Sequence, residues 1–155
     1  DRSIYKMTKD VLVSLSGLQM AQEQEPENTE VISKGEYFFR NGKHFVVYDE
    51  IMEGINDPSK TKIKFTDNTL EVLRQGEMSV HMVFEKDKKN VTYYYTPFGS
   101  LQIGIDTRDI HVVETDELIT VEVDYALDAN YEYVGDCKIK LAVSPKGSKN
   151  FSLTC

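Results

Sequence analysis

The sequence predicts an all-β protein: an antiparallel up-and-down barrel of about 8–10 strands. Three observations carry this. Apolar and polar residues alternate with period 2 along most of the chain, and no segment of helical length keeps a 3.6-residue period. Turn-forming residues interrupt the alternating runs at short intervals. Only two links are long, 19–30 and 53–60, whereas a sandwich would need more long crossovers. A meander with one dry face hides that face and protects its edges together by curling until its first and last strands meet.

Taken in order, the first run lies near residues 10–18. Runs near 31–39 and 43–51 flank Asn41-Gly42, a pair that accepts positive φ at both central positions of a type I′ hairpin turn. Asp67-Asn68 separates runs near 61–66 and 69–75, and Gly76 precedes one near 77–86 in which Val80, Met82 and Phe84 share a face. Further breaks at 86–90, 97–100, 106–109, 114–117 and 128–130 delimit runs near 91–97, 100–106, 109–114, 118–127 and 131–144. The clearest alternation sets Ile119, Val121, Val123, Tyr125 and Leu127 against Thr120, Glu122, Asp124 and Ala126. Eleven runs result, some of which can be one bent strand divided by a turn signal. The link 19–30 carries Glu23, Glu25, Glu27 and Glu30 around Pro26 and reads as a solvated loop, with a flap or short helix as alternatives.

A chain of 155 residues suits one domain, 1–155, with 1–8 and 145–155 expected as flexible ends. The 18 basic and 26 acidic side chains leave a net charge of −8, which disfavours a nucleic-acid partner, because neutralising phosphates takes a surplus of Lys and Arg. No apolar run is long enough for a membrane-spanning helix, and residues 1–10 lack the apolar stretch of a secretory signal. Cys137 and Cys155 do not form a recognisable disulfide framework. A reduced, cytoplasmic chain with no membrane attachment is the expected setting.

Polar residues on apolar faces are the most informative about function. Arg74 shares parity with Leu70 and Val72, and Glu50 with Val46, Tyr48 and Met52. If both strands keep this parity, a guanidinium and a carboxylate point into the barrel, where a charge is costly unless paired. Arg74 then either pairs with Glu50 or receives an anionic ligand, which its planar fork suits. The alternative is that both lie at strand ends and reach solvent. Tyr93 and Tyr95 fall on one face and Tyr94 on the other, just before Pro97 and Gly99. Their hydroxyls can orient a mostly apolar ligand at a cavity mouth, or they can simply pack the barrel and its surface. The candidate ligand-binding residues are therefore Arg74, Glu50, Tyr48, Tyr93 and Tyr95.

No metal or cofactor is expected. His44, His81 and His111 lack ligand spacing, and His81 and His111 oppose apolar neighbours and so face water. Cys137 shares parity with Ile139 and reads as a core thiol. Lys60, Lys62 and Lys64 form either an anion patch or a solvated face that protects a sheet edge. There is no Gly-rich phosphate loop, nucleophile elbow or catalytic triad spacing, so an enzyme is not expected.

The order Asp10-Val-Leu-Val-Ser-Leu-Ser-Gly17, Gly35-Glu-Tyr37, Asn41-Gly42-Lys43, Tyr48-Asp-Glu50, Gly54 and Thr61-Lys-Ile-Lys64 resembles the YwiB-like family of small bacterial proteins. Arg74-Gln-Gly76, Phe84, Tyr95-Thr-Pro-Phe-Gly99 and Tyr125-Ala-Leu127 continue the resemblance, which runs from about residue 9 to residue 144. It implies a calycin-like, lipocalin-type barrel and a cytoplasmic bacterial setting. It implies no activity and no catalytic residues, because the family is a domain of unknown function. Together these readings favour non-enzymatic binding of a small, partly apolar or anionic ligand in the barrel interior. The alternative is a filled barrel that binds a protein partner or a second copy of itself as a homodimer.

Overall fold

The computed structural model describes residues 9–17, 32–50, 59–76, 79–97 and 99–146, with the side chains of Glu50 and Thr96 outside the description. The expected flexible ends therefore lie largely outside the described residues, as do the acidic link and Cys155. Ten strands follow one another: β1 (Asp10–Ser16), β2 (Ile32–Arg40), β3 (Lys43–Glu50), β4 (Ser59–Phe65), β5 (Thr69–Gln75), β6 (Val80–Glu85), β7 (Lys88–Thr96), β8 (Gly99–Glu114), β9 (Ile119–Ala129) and β10 (Glu132–Pro145). The chain is all-β over the described residues, and every ladder is antiparallel.

The eleven runs become ten strands because 100–106 and 109–114 are one strand. The polar break at 106–109 is a β-bulge between Thr107 and Asp109, across which β8 stays paired to β9 from Ile103 to Glu114. The hairpin at Asn41-Gly42 forms as its sequence requires, with φ of 55° and 76°.

Sheet order is β6-β5-β4-β3-β2-β1-β10-β9-β8-β7. The first and last strands pair in register from Val11↔Pro145 to Ser16↔Lys140, so the ends of the fold lie in the middle of the sheet. Its two edges are β6 and β7, neighbours in sequence, and they meet to give a nearly closed barrel. The turn between them bonds sideways instead of across: Lys86 N–H donates to Asn68 O (3.1 Å) and Asp87 N–H to Thr107 O (3.0 Å). Among the described residues, β6 and β7 are joined by the Ser79↔Tyr95 bridge and by the Thr92 hydroxyl donating to His81 O at 2.6 Å. β4 is flanked by β3 and β5. Its lysines therefore do not protect an edge, and that reading is corrected.

Inward-facing residues from every strand merge into one apolar core, including Val11, Val46, Ile63, Val72, Phe84 and Val123, each fully buried. Phe84 on β6 meets Tyr125 on β9 edge to face with ring centroids 5.0 Å apart, spanning the interior. Odd-numbered strands run to one end, called here the upper end, and even-numbered strands to the lower.

The lower end is braced by His44. Its ring stacks on Phe65 (4.5 Å, 10°) and lies 4.8 Å from Phe39, while the Tyr37 hydroxyl and Nδ1 share a hydrogen bond of 2.7 Å. Its Nε2 reaches Glu114 Oε1 at 3.6 Å, on a strand five places away in a ring of ten, so the contact spans the barrel mouth. Burial pushes the Tyr37 phenol above its ordinary value, with Glu114 adding to the effect, so the phenol stays protonated. Burial also lowers the His44 pKa, against the opposing pull of Glu114 and Asp67.

Two expectations follow. A histidine held neutral contributes stability above its unfolded pKa of about 6.5, and that contribution is lost as pH falls through the lower folded value. Urea unfolding midpoints should therefore drop more steeply for the wild type than for His44→Phe between about pH 7 and pH 5. A Cβ on Gly17 (φ +84°) would sit 1.9 Å from the Lys138 carbonyl oxygen, whereas one on Gly42 (φ +76°) would meet open space. Gly17→Ala should cost about 3 kcal/mol or more, and Gly42→Ala about 1 kcal/mol, read as urea unfolding free energies.

Candidate functional site

All five sequence-derived candidates lie toward the upper end, because each falls late in an odd-numbered strand: Tyr48 and Glu50 in β3, Arg74 in β5, Tyr93 and Tyr95 in β7. Alternation gives each strand an inner and an outer row, and ladder register lines those rows up across the sheet. Tyr48 pairs with Thr61, Thr61 with Arg74, and Arg74 with Val80. This inner row is 5%, 0%, 5% and 3% exposed, so Arg74 does not reach solvent as a strand-end residue would. One step further up, Ser59 is also fully buried and pairs with Glu50. Glu50 has inward parity in the backbone ladder. Its side chain, and with it the expected Arg74–Glu50 pairing, lies outside the described residues.

The upper interior of β3, β4 and β5 is thus polar, with Tyr48, Ser59, Thr61 and Arg74 all buried. The wall of β8 and β9, by contrast, is built of Ile103, Ile105, Val123 and Leu127. The Arg74 guanidinium shares this face with the hydroxyl-bearing side chains of Tyr48, Ser59 and Thr61. Thr61 was readable from its parity with Ile63 and Phe65. Ser59 was not, because the strand begins before the alternation becomes evident.

Tyr94 points into the core (3% exposed), while Tyr93 and Tyr95 lie on the outer face at 48% and 58%. Their rings are 6.4 Å apart. Where β6 and β7 part, an open cleft of about 320 Å³ is lined by Arg74, Val80, His81, Thr92, Tyr93 and Tyr95 among others. The structure therefore brings Arg74, Tyr93 and Tyr95 to one cleft. Tyr48 shares Arg74's inner row two strands away and does not line it.

His81 on the cleft's outer side contacts the Glu71 carboxylate at 2.5 Å, and Lys64 Nζ lies 3.2 Å from the other oxygen of the same group. Burial by itself would raise the Glu71 carboxyl, but the hydrogen bonds from His81 and Lys64 outweigh it and hold the group below the ordinary carboxylate range. Glu71 thereby fixes His81 at the rim. The signal for this pair was cross-strand: Glu71 and His81 occupy diagonal outer positions of the β5–β6 ladder. Cys137 is half-buried against the core, and burial pushes its thiol up, away from the reactive thiolate. Among the described residues no group of three His, Cys, Asp or Glu side chains could hold a metal ion. Nor is any described helix long and apolar enough to cross a membrane.

Comparison with known proteins agrees with this architecture. No curated protein matches the sequence. The crystal structure of the ywiB protein from Bacillus subtilis superposes with a TM-score of 0.67 at 17% identity, covering 90% of this chain and 94% of that one. That likeness concerns the fold. The family model described as a domain of unknown function, DUF1934, matches residues 13–141. The chain thus belongs to the DUF1934 family, a domain of unknown function, and shares its fold with the ywiB protein.

Proposed function

We propose that this barrel is a non-enzymatic binding protein for a small, partly apolar ligand with an anionic head. The head meets Arg74 at the β6–β7 seam, and the apolar part lies against Tyr93 and Tyr95 in the cleft. The supporting observation is a buried arginine that also lines a cleft of about 320 Å³ bordered by two exposed tyrosines. That volume falls at the lower end of the range for small-molecule pockets. Arginine's fork offers two parallel hydrogen bonds to a carboxylate, and such charge-assisted bonds are strongest where water is excluded.

The seam also supplies a route. Elsewhere, parting two strands of this barrel would break a full ladder, five or more registered pairs at each junction. Between β6 and β7 it would break one bridge and one side-chain hydrogen bond among the described residues. Opening there costs the fewest backbone hydrogen bonds. Tyr93 and Tyr95 at the mouth present both apolar ring surface and a hydroxyl to an entering molecule.

Titration with a fluorescent carboxylate amphiphile, such as a dansylated undecanoic acid, tests this. Saturable binding is expected, with the dissociation constant raised at least about tenfold in Arg74→Met, the loss of one charged hydrogen-bonding group. Native mass spectrometry of protein purified from its own host supplies a probe-free reading, since a co-purifying acid should be retained by the wild type and lost from the variant. Equal affinity of the folded variant and wild type for the amphiphile would remove Arg74 from the site.

A further inference from the structure

The outer wall of β2–β5 carries a second depression, which shares Leu73 with the seam cleft and lies on the other side of the Glu71–His81 pair. Phe45, Val47 and Leu73 are half-buried on this outside face and floor a depression of about 190 Å³, with Lys62, Lys64 and Glu71 at its sides. Phe38, 36% exposed, continues the apolar floor through its register partner Phe45. Along β4, Lys60, Lys62 and Lys64 project outward at every second residue. β4 is internal to the sheet, so these lysines are not edge protection.

Charge is segregated around the barrel. The outer side of β2–β4 carries Lys34, Arg40, Lys43, Lys60, Lys62 and Lys64, against Glu36, Asp49 and Glu71 on β2, β3 and β5. Glu71 is already engaged by Lys64 and His81. This basic wall belongs to a chain whose net charge is −8. The opposite wall leans acidic, with Asp106, Asp109, Glu122, Asp124, Asp128 and Asp136 on β8, β9 and β10 against Arg108, Lys138 and Lys140.

We infer that the β2–β5 wall is a docking surface for an extended, acidic segment of another protein in which carboxylates alternate with apolar side chains. Same-side residues of a strand recur about every 6.6 Å, so the lysine row matches the carboxylate spacing of an extended peptide. A depression of about 190 Å³ is below the range for small-molecule sites and suits one or two protruding side chains. Charge complementarity selects an acidic occupant. A second copy is the poorer fit, because its acidic wall lies opposite its basic one. Docking the two would join copies head to tail and propagate without closing.

A fluorescein-labelled peptide alternating Glu and Leu, followed by anisotropy, tests the inference. Saturable binding that weakens with added salt is expected. It should weaken about tenfold or more in Lys60→Glu/Lys62→Glu and severalfold in Leu73→Ser, yet change less than about twofold in Lys138→Glu/Lys140→Glu on the far wall. Circular dichroism establishes that each variant is folded. No saturable binding, or equal loss from both charge reversals, overturns the surface. Equal affinity for poly-glutamate reassigns it as a general polyanion patch and overturns the alternating-peptide claim. Light-scattering evidence of a wild-type oligomer that Lys60→Glu/Lys62→Glu dissolves overturns it in favour of self-association.

Discussion

The ladder between β1 and β10 is the interaction on which the rest of the structure depends. Each strand has one apolar face, and a flat sheet would leave it in water and expose two edges. Pairing the first strand with the last brings the two halves of the chain into one sheet, β6 to β1 on one side and β10 to β7 on the other. The two remaining edges belong to neighbours in sequence, so closing the barrel leaves its weakest junction at the chain's midpoint. The seam is thus a consequence of topology, and it places an opening beside Arg74.

The two ends of the barrel handle buried polarity differently. At the lower end, Tyr37, His44 and Glu114 form a connected set, with aromatic rings from β2 and β4 around the imidazole. Both imidazole nitrogens of His44 meet a group on another strand, and the set ties the β2–β3 hairpin to the end of β8. At the upper end, the inner row Tyr48, Thr61 and Arg74 lies on adjacent strands and opens toward the seam. The first arrangement is a brace between opposite walls. The second gathers polar side chains on one inner row beside a cleft. A buried arginine is weak evidence for stability, since its desolvation offsets much of what its contacts return. Its position on a cleft is what directs attention to binding.

Much of this was legible in the residues. Period-2 parity put Arg74 with Leu70 and Val72 inside, Tyr94 on the opposite face from Tyr93 and Tyr95, and His81 outside. Each placement needs only that a strand's side chains alternate. The bulge at Thr107/Asp109 has the sequence signature of a break, because a polar cluster looks the same whether the chain turns or merely kinks. For the lysines of β4, parity leaves both an anion patch and edge protection open, because alternation marks a face without saying which strands flank it. His44 carried no signal of its brace, since Glu114 is 70 residues away in sequence.

The sequence by itself determined strand identity, the facing of most side chains and the hairpin at Asn41-Gly42, because these depend on local backbone geometry and on hydrophobic periodicity. Family membership was legible in the same way, from the order of short motifs along the chain. Tertiary structure alone decided which candidates share a site. Arg74 meets Tyr93 and Tyr95 only because strand order brings β5 and β6 alongside β7 at a junction without a ladder. That order is set by long-range pairing of the chain's ends, and no local pattern encodes it.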